Sequence, residues 1–397
     1  MPRNGRVVPG EYAAGGAEML QSKLPGVGTT IFTVMTALSN EHGAINLSQG
    51  FPDFDVDEEL IGLVDRHMRQ GHNQYAPMQG LPLLREKIAL KVRETYDASY
   101  DPGEEITVTS GATEALFAAV TACVGHGDEV ILFEPAYDSY APAVELCGGV
   151  PVYCTLRFPD YSVDWDQVRD SITERTRLII LNSPHNPTGA VLSEGDMAAL
   201  AEIIAGTRVL ILSDEVYEHI IFDGAAHQSM ARYPELAGRS FVVSSFGKTY
   251  HTTGWKVGYC LAPALLSAEF RKIHQYLTFA TSTPVQYAYA DFLDRKEKYL
   301  GLPAFYQQKR DLFLSLLQGS RFKCLPSRGT YFQMLDYSDI TGEADVDFAR
   351  RMTAEHGVAA IPPSVFYHEG GDNRVLRFCF AKREETLRKA AERLCAI

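Results

Sequence analysis

The chain has 397 residues, more than a single hydrophobic core ordinarily serves, so at least two domains are expected. Hydrophobic residues make up 46% and charged residues 22%, the balance of an ordinary soluble globule. A net charge of −13 argues against a general nucleic-acid binder, which needs a basic surface, but leaves room for small anions held by a local lysine or arginine. Met1 to Ala17 has no signal-type apolar core and reads as a loose tail. No apolar run approaches the roughly 20 residues of a membrane span. Seven cysteines, an odd number without a C-x-x-C pair, fit free thiols in a reducing compartment, and a cytoplasmic location is expected.

Taken in order, the elements alternate. A helix is expected over Pro82–Thr95, with Pro82 in the opening turn where its missing N–H is no loss. A strand at Ile106–Val108 leads into an alanine-rich helix at Thr113–Val124, followed by a strand at Glu129–Phe133. Leu178–Leu181, Gly195–Ile204, Arg208–Ser213, Ser240–Ser244 and Trp255–Leu261 continue as strand, helix, and three strands. Strands separated by helix-sized segments imply βαβ units and a mostly parallel sheet, hence an α/β fold. After about Phe292 the pattern changes to a charged helix at Tyr299–Leu317, strands at Tyr331–Leu335 and Val375–Phe380, and a helix at Val346–His356, which suggests a smaller α+β domain.

Four segments carry chemistry. Lys248 follows the apolar run Phe241-Val242-Val243 beside Ser244 and Ser245, and a second cation, Lys256, lies eight residues on. A partly desolvated amine near another cation loses proton affinity and becomes a nucleophile suited to Schiff-base chemistry. Lys256 then suits an anion such as phosphate. A P-loop is ruled out because Val242 stands where its first glycine belongs. Val108-Thr109-Ser110-Gly111-Ala112-Thr113 passes from strand to helix and would aim free N–H groups at an anion. The turn-rich loop Asn182-Ser183-Pro184-His185-Asn186-Pro187-Thr188-Gly189 and the acid of Ser213-Asp214-Glu215-Val216-Tyr217 each follow an apolar strand. Sites in open α/β sheets collect at such strand ends. Taken singly, Asp214 could be a helix N-cap and Asn186 a turn residue.

In this order the four segments resemble the fold-type-I pyridoxal-phosphate aminotransferases, over nearly the whole chain from about Leu24. Asn46-Leu47-Ser48-Gln49-Gly50-Phe51-Pro52-Asp53-Phe54, Asn73-Gln74-Tyr75-Ala76-Pro77, Glu134-Pro135-Ala136-Tyr137-Asp138-Ser139-Tyr140 and Arg377-Phe378-Cys379-Phe380 are most similar to the methionine and kynurenine/glutamine aminotransferase branch. The resemblance implies a large cofactor-binding domain over residues 45–292 and a discontinuous small domain from 21–44 and 293–397, after a tail at 1–20.

It also implies roles. Lys248 would hold pyridoxal 5'-phosphate as a Schiff base and later shuttle the substrate proton. Asp214 would pair with the pyridine nitrogen, while Tyr217 and Asn186 would reach the phenolic oxygen. Tyr137 would stack on the ring, although a buried core tyrosine is the rival reading. Gly111, Ala112, Thr113, Ser245 and Lys256 would hold the phosphate, with Tyr75 reaching it from the other subunit of a homodimer. Arg377, rather than its neighbour Arg374, would bind the substrate carboxylate, and Gly50 would offer a backbone N–H to it. No metal is implied. The segments Gly28–Met35, Tyr137–Tyr140 and Pro362–Tyr367 are apolar and aromatic, which favours a neutral donor such as methionine over aspartate. A cysteine-S-conjugate β-lyase and a non-catalytic cofactor-binding module remain as alternatives.

Overall fold

Between residues 106 and 261 the chain lays down short runs rich in Val, Ile and Leu, most of them buried on both sides and one, Val150–Thr155, partly open to water. The computed structural model describes residues 21–397, so the expected tail at 1–20 lies outside the described residues. After β1 (Ile45–Asn46) come β2 (Ile106–Thr109), β3 (Glu129–Glu134), β4 (Val150–Thr155), β5 (Thr176–Asn182), β6 (Leu210–Asp214), β7 (Ser240–Ser245) and β8 (Gly258–Leu261). Strands β2 to β8 form one sheet in the order β2-β8-β7-β6-β5-β3-β4. Pairings from β4 across to β7 are parallel, and β8 runs against both its neighbours.

Side chains of these strands alternate between two buried clusters, one on each face. Ile131, Ile179, Leu181, Ile211 and Val242 belong to one, and Leu132, Leu178, Ile180, Leu212 and Val243 to the other. The period of two thus serves two cores, as a parallel sheet covered on both faces requires. The register sets Asn182 beside Asp214, and Asp214 beside Val243 just ahead of Ser244 and Ser245. Three strands therefore deliver polar residues to one edge of the sheet.

The remaining strands are β9 (Lys323–Leu325), β10 (Phe332–Asp336), β11 (Val358–Ala359) and β12 (Val375–Cys379). β12-β10-β9 form an antiparallel sheet, and β1 pairs in parallel with β11, so residues 45–46 join the C-terminal part of the chain. The helix Ile31–His42 packs on the helix Asp345–His356.

Three elements differ from expectation, the first two for local reasons. The strand expected over Trp255–Leu261 begins only at Gly258, because Thr253–Trp255 is a 3-10 turn and Lys256 takes a left-handed φ of 54°. The helix expected over Tyr299–Leu317 is two, Lys296–Leu300 and Leu302–Leu316, interrupted at Gly301 ahead of Pro303. The alanine-rich helix also starts earlier, at Gly111.

Candidate active site

Lys248 lies in the single helical turn Phe246–Thr249 that closes β7. Its Nζ donates to Gly50 O at 3.1 Å and to the Tyr331 hydroxyl at 2.9 Å. Loss of water pushes the ammonium down to about 8, so a substantial fraction is neutral near physiological pH.

Asp214 ends β6 and caps no helix, since a turn follows it. It is 4% exposed, and burial pushes its carboxyl up to about 6. Tyr140 opposes that by donating to Oδ2 at 2.7 Å, and Val216 N donates to Oδ1 at 3.3 Å. The Asn182 amide holds the Asp214 carbonyl at 2.9 Å and accepts from Asn186 N at 2.8 Å through its Oδ1, tying the two loops together.

Arg377 is fixed on both sides of β12. It faces Met334 of β10, and its backbone exchanges two hydrogen bonds with Ile361. Its guanidinium is 1% exposed, donates to Asn186 Oδ1 at 2.8 Å and Ser48 O at 2.7 Å, and lies 3.9 Å from the Phe332 ring centre and 5.3 Å from that of Phe32. Burial brings it down to about 10, still cationic at neutral pH. Its Nε is buried without a partner, a donor left over for a ligand. Arg374, by contrast, is exposed at a turn.

Opposite lies an anion cup. The helix Gly111–Cys123 starts without a side-chain cap, leaving its first N–H groups free. A Cβ on Gly111 would come within 3.4 Å of Lys256 Cε and Nζ. A Cβ on Gly258 would meet Ser244 O at 2.6 Å and Ala112 N at 3.2 Å, so only glycine lets β8 pass the helix start this closely.

One cavity is lined by Gly111, Ala112, Thr113, Tyr137, Asn186, Asp214, Tyr217, Ser245, Lys248 and Lys256, and Arg377 and Gly50 adjoin it through Asn186 and Lys248. Residues separated by up to 145 positions thus converge. Tyr75 stands apart, 85% exposed with its ring edge-on to Phe279, and does not enter this cavity in the single chain. Gly50 presents its carbonyl to Lys248. A Cβ there would lie 2.9 Å from Phe332 Cζ, so the glycine makes room for that ring. Tyr140, Asn182 and Tyr331 were not singled out by sequence. The Tyr137-x-x-Tyr140 spacing was the one available signal for Tyr140, and nothing local marks Tyr331.

These residues fit a phosphorylated pyridine aldehyde: an anion cup at one end, a buried carboxylate for a ring nitrogen, and a neutralisable amine between them. The family description Aminotransferase class I and II matches residues 42–394. The chain is 55% identical to methionine aminotransferase of Escherichia coli over 375 residues, covering 94% of this chain and 97% of that protein. A crystal structure from Escherichia coli reported with a methionine aminotransferase function superposes with a TM-score of 0.94 at 54% identity, covering 95% and 99%. The N-succinyldiaminopimelate aminotransferase structure of Mycobacterium tuberculosis gives 0.91 at 40% identity, covering 95% and 99%. A kynurenine–oxoglutarate transaminase of Dictyostelium discoideum is 34% identical, covering 92% and 94%. The chain belongs to the class I and II aminotransferases, pyridoxal-phosphate enzymes that move amino groups between amino acids and 2-oxo acids.

Proposed function

We propose that the amino donor is methionine or a similar neutral apolar or aromatic amino acid. The observation that carries this is the setting of Arg377. Its guanidinium is held against Phe332 and Phe32, Phe32 lies 5.9 Å from Phe366, and Asp138 is an acid whose charge acts on it. A substrate carboxylate can accept from the free Nε–H and a second in-plane N–H of the guanidinium, while its side chain meets aromatic rings. A second carboxylate near Arg377 would meet the Asp138 charge. The Escherichia coli relative favours the same donor.

When bound, pyridoxal phosphate supplies a carbonyl that condenses with amines and a protonated ring that draws electrons from the substrate Cα. The chain's residues supply the rest. Gly111, Ala112, Thr113, Ser245 and Lys256 would hold the phosphate, and Tyr137 would cover one ring face. Asp214, kept ionised by Tyr140, would keep the ring nitrogen protonated, and Tyr217 and Asn186 would face the phenolic oxygen. Lys248 would take the Cα proton at Nζ and return it. A homodimer would bring Tyr75 of the partner subunit to the phosphate cup. Residues 21–44 with 293–397 would form a unit distinct from 45–292, except that β1 at 45–46 pairs with β11 and so belongs with the former; the free thiols suit a cytoplasmic enzyme. No helix among the described residues is long and apolar enough to cross a membrane.

The test is to add methionine, phenylalanine, glutamine, kynurenine, N-succinyldiaminopimelate and aspartate singly to cofactor-loaded protein and follow the visible absorbance. Methionine or an aromatic donor should bleach it fastest. Aspartate or N-succinyldiaminopimelate leading the series would overturn this substrate assignment.

A further inference from the structure

Tyr331 is 1% exposed and has a place in the site that the reaction as described leaves unused. Its hydroxyl donates to Gly50 O, so its single proton is spent, and toward Lys248 Nζ at 2.9 Å it can only accept. Gly50 O accepts from the same Nζ at 3.1 Å. A neutral primary amine has two N–H bonds and one lone pair. Here both N–H bonds are directed at oxygens on one wall, which leaves the lone pair as the one uncommitted direction of an atom that lines the cavity.

The phenol is held firmly. Tyr331 O accepts from Phe380 N at 2.9 Å, the preceding residue Thr330 takes a left-handed φ of 64°, and the ring packs edge-on against Tyr217 at 5.1 Å and tilted against Tyr306 at 5.7 Å. Packing alone would be served as well by phenylalanine. The hydroxyl is placed by polar neighbours instead: Gly50 O, Lys248 Nζ and the nearby Tyr217 hydroxyl.

We propose that Tyr331 is a catalytic residue: with Gly50 O it cradles the Lys248 amine once substrate has displaced it, fixing the lone pair toward the substrate Cα. The inference rests on Lys248 being the reacting amine. The proton balance is simple. The substrate Cα–H bond breaks, a third N–H forms on Nζ, and the C–H electron pair passes into the electron-withdrawing system the cofactor supplies. Two N–H bonds stay with Tyr331 and Gly50, so the proton facing the cavity is the one handed back. Misdirection of that amine should cost rate and leave substrate affinity intact, because Arg377, not Tyr331, meets the carboxylate.

The experiment compares Tyr331→Phe with the unaltered holoenzyme. The expected result is a kcat lower by about 10-fold or more, with KM and the absorbance of bound cofactor within about twofold. A second reading needs no turnover. In cofactor-free protein, the rate of capture of added pyridoxal phosphate is followed against pH. Losing an acceptor disfavours the ammonium, so the inflection should move to lower pH in Tyr331→Phe. An unchanged kcat and a superimposable pH curve would overturn the proposal. Should Tyr331→Phe fail to hold cofactor, 3-fluorotyrosine at position 331, a weaker acceptor of the same shape, decides: a lowered kcat supports the cradle and an unchanged one refutes it. Lys248→Ala retaining full turnover would refute the underlying reading, and the cradle with it.

Discussion

Buried beside Tyr140, Lys248 and Glu215, the Asp214 carboxyl is raised to about 6 mainly because water is absent, and Tyr140 and Lys248 only partly offset this. Below pH 6 the cofactor-free site therefore takes up a proton that binding of a protonated pyridine must expel. Affinity for pyridoxal phosphate should fall by up to about tenfold per pH unit there. Asp214→Asn should bind more weakly and lose that slope, while the titration of the phosphate itself remains common to both. Parallel affinity curves for the two proteins would contradict the assignment. Arg377→Ala should raise the KM for methionine on the order of 100-fold with the bound cofactor's absorbance retained, since it removes a charge-assisted fork and leaves the phosphate cup intact. A KM within threefold would show that the carboxylate binds elsewhere. At this scale the sequence was readable wherever a residue sits at a strand end within a short motif, as Lys248, Asp214 and Asn186 do. The sequence places Tyr140 near the pocket but not against Asp214, and Tyr331 escapes altogether, because their partners lie 74 and 83 residues away.

The segment from Asp214 to Glu218 shows why a strand end can hold a site steady. Asp214 and Tyr217 line the cavity, while Glu215 and Glu218 turn into a buried polar network behind it. Glu215 accepts from Ser213 Oγ at 2.8 Å and Met230 N at 3.0 Å and meets His227 Nε2 at 2.8 Å. Glu218 accepts from Lys91 at 2.6 Å, Ser244 Oγ at 2.7 Å and Tyr259 at 3.1 Å, and from Tyr96 on its other oxygen. Ser244 precedes the turn that carries Lys248, so this carboxylate ties the acid's loop to the lysine's strand. Burial alone would raise the Glu218 carboxyl, but Lys91 holds it well below the ordinary range. Its stabilisation is thus present above the unfolded carboxylate value of about 4.3 and is lost as pH falls further. Lys91→Ala leaves the charge buried and unpaired, and should destabilise the fold by about 3–5 kcal/mol, read as a lowered denaturant midpoint at pH 7. An unchanged midpoint would mean that the pair is not formed. Sequence gave the existence of these strands but not this network, because Lys91 sits in a helix whose periodicity says nothing of a buried partner. The same locality explains the element-level misreadings: Gly301 with Pro303 breaks a helix that composition alone extends, and the φ of Lys256 delays a strand that hydrophobicity alone begins earlier.

For the whole molecule, alternation of apolar runs with helix-sized segments was enough to read a mostly parallel sheet. It was not enough to order the strands, since β8 inserts between β2 and β7 by long-range pairing that no local pattern encodes. The exposed aromatic surface was equally silent. Tyr75 and Tyr276 are 85% and 86% exposed, and Leu277 and Phe279 are also in water in the single chain. Side chains of this size are the kind that a protein–protein contact covers. Sedimentation should give twice the chain mass, and Tyr75→Phe should weaken cofactor retention while leaving the dimer intact. A monomer with full turnover would contradict both statements.

Lys248 and Lys256 are rival amines in the same cavity. Cofactor-loaded protein is reduced with borohydride, digested and mapped by mass spectrometry. The cofactor's mass should be fixed on the peptide containing Lys248, and Lys248→Ala should carry none. Its appearance on Lys256 or on any other lysine in the unaltered protein would contradict the account at its centre.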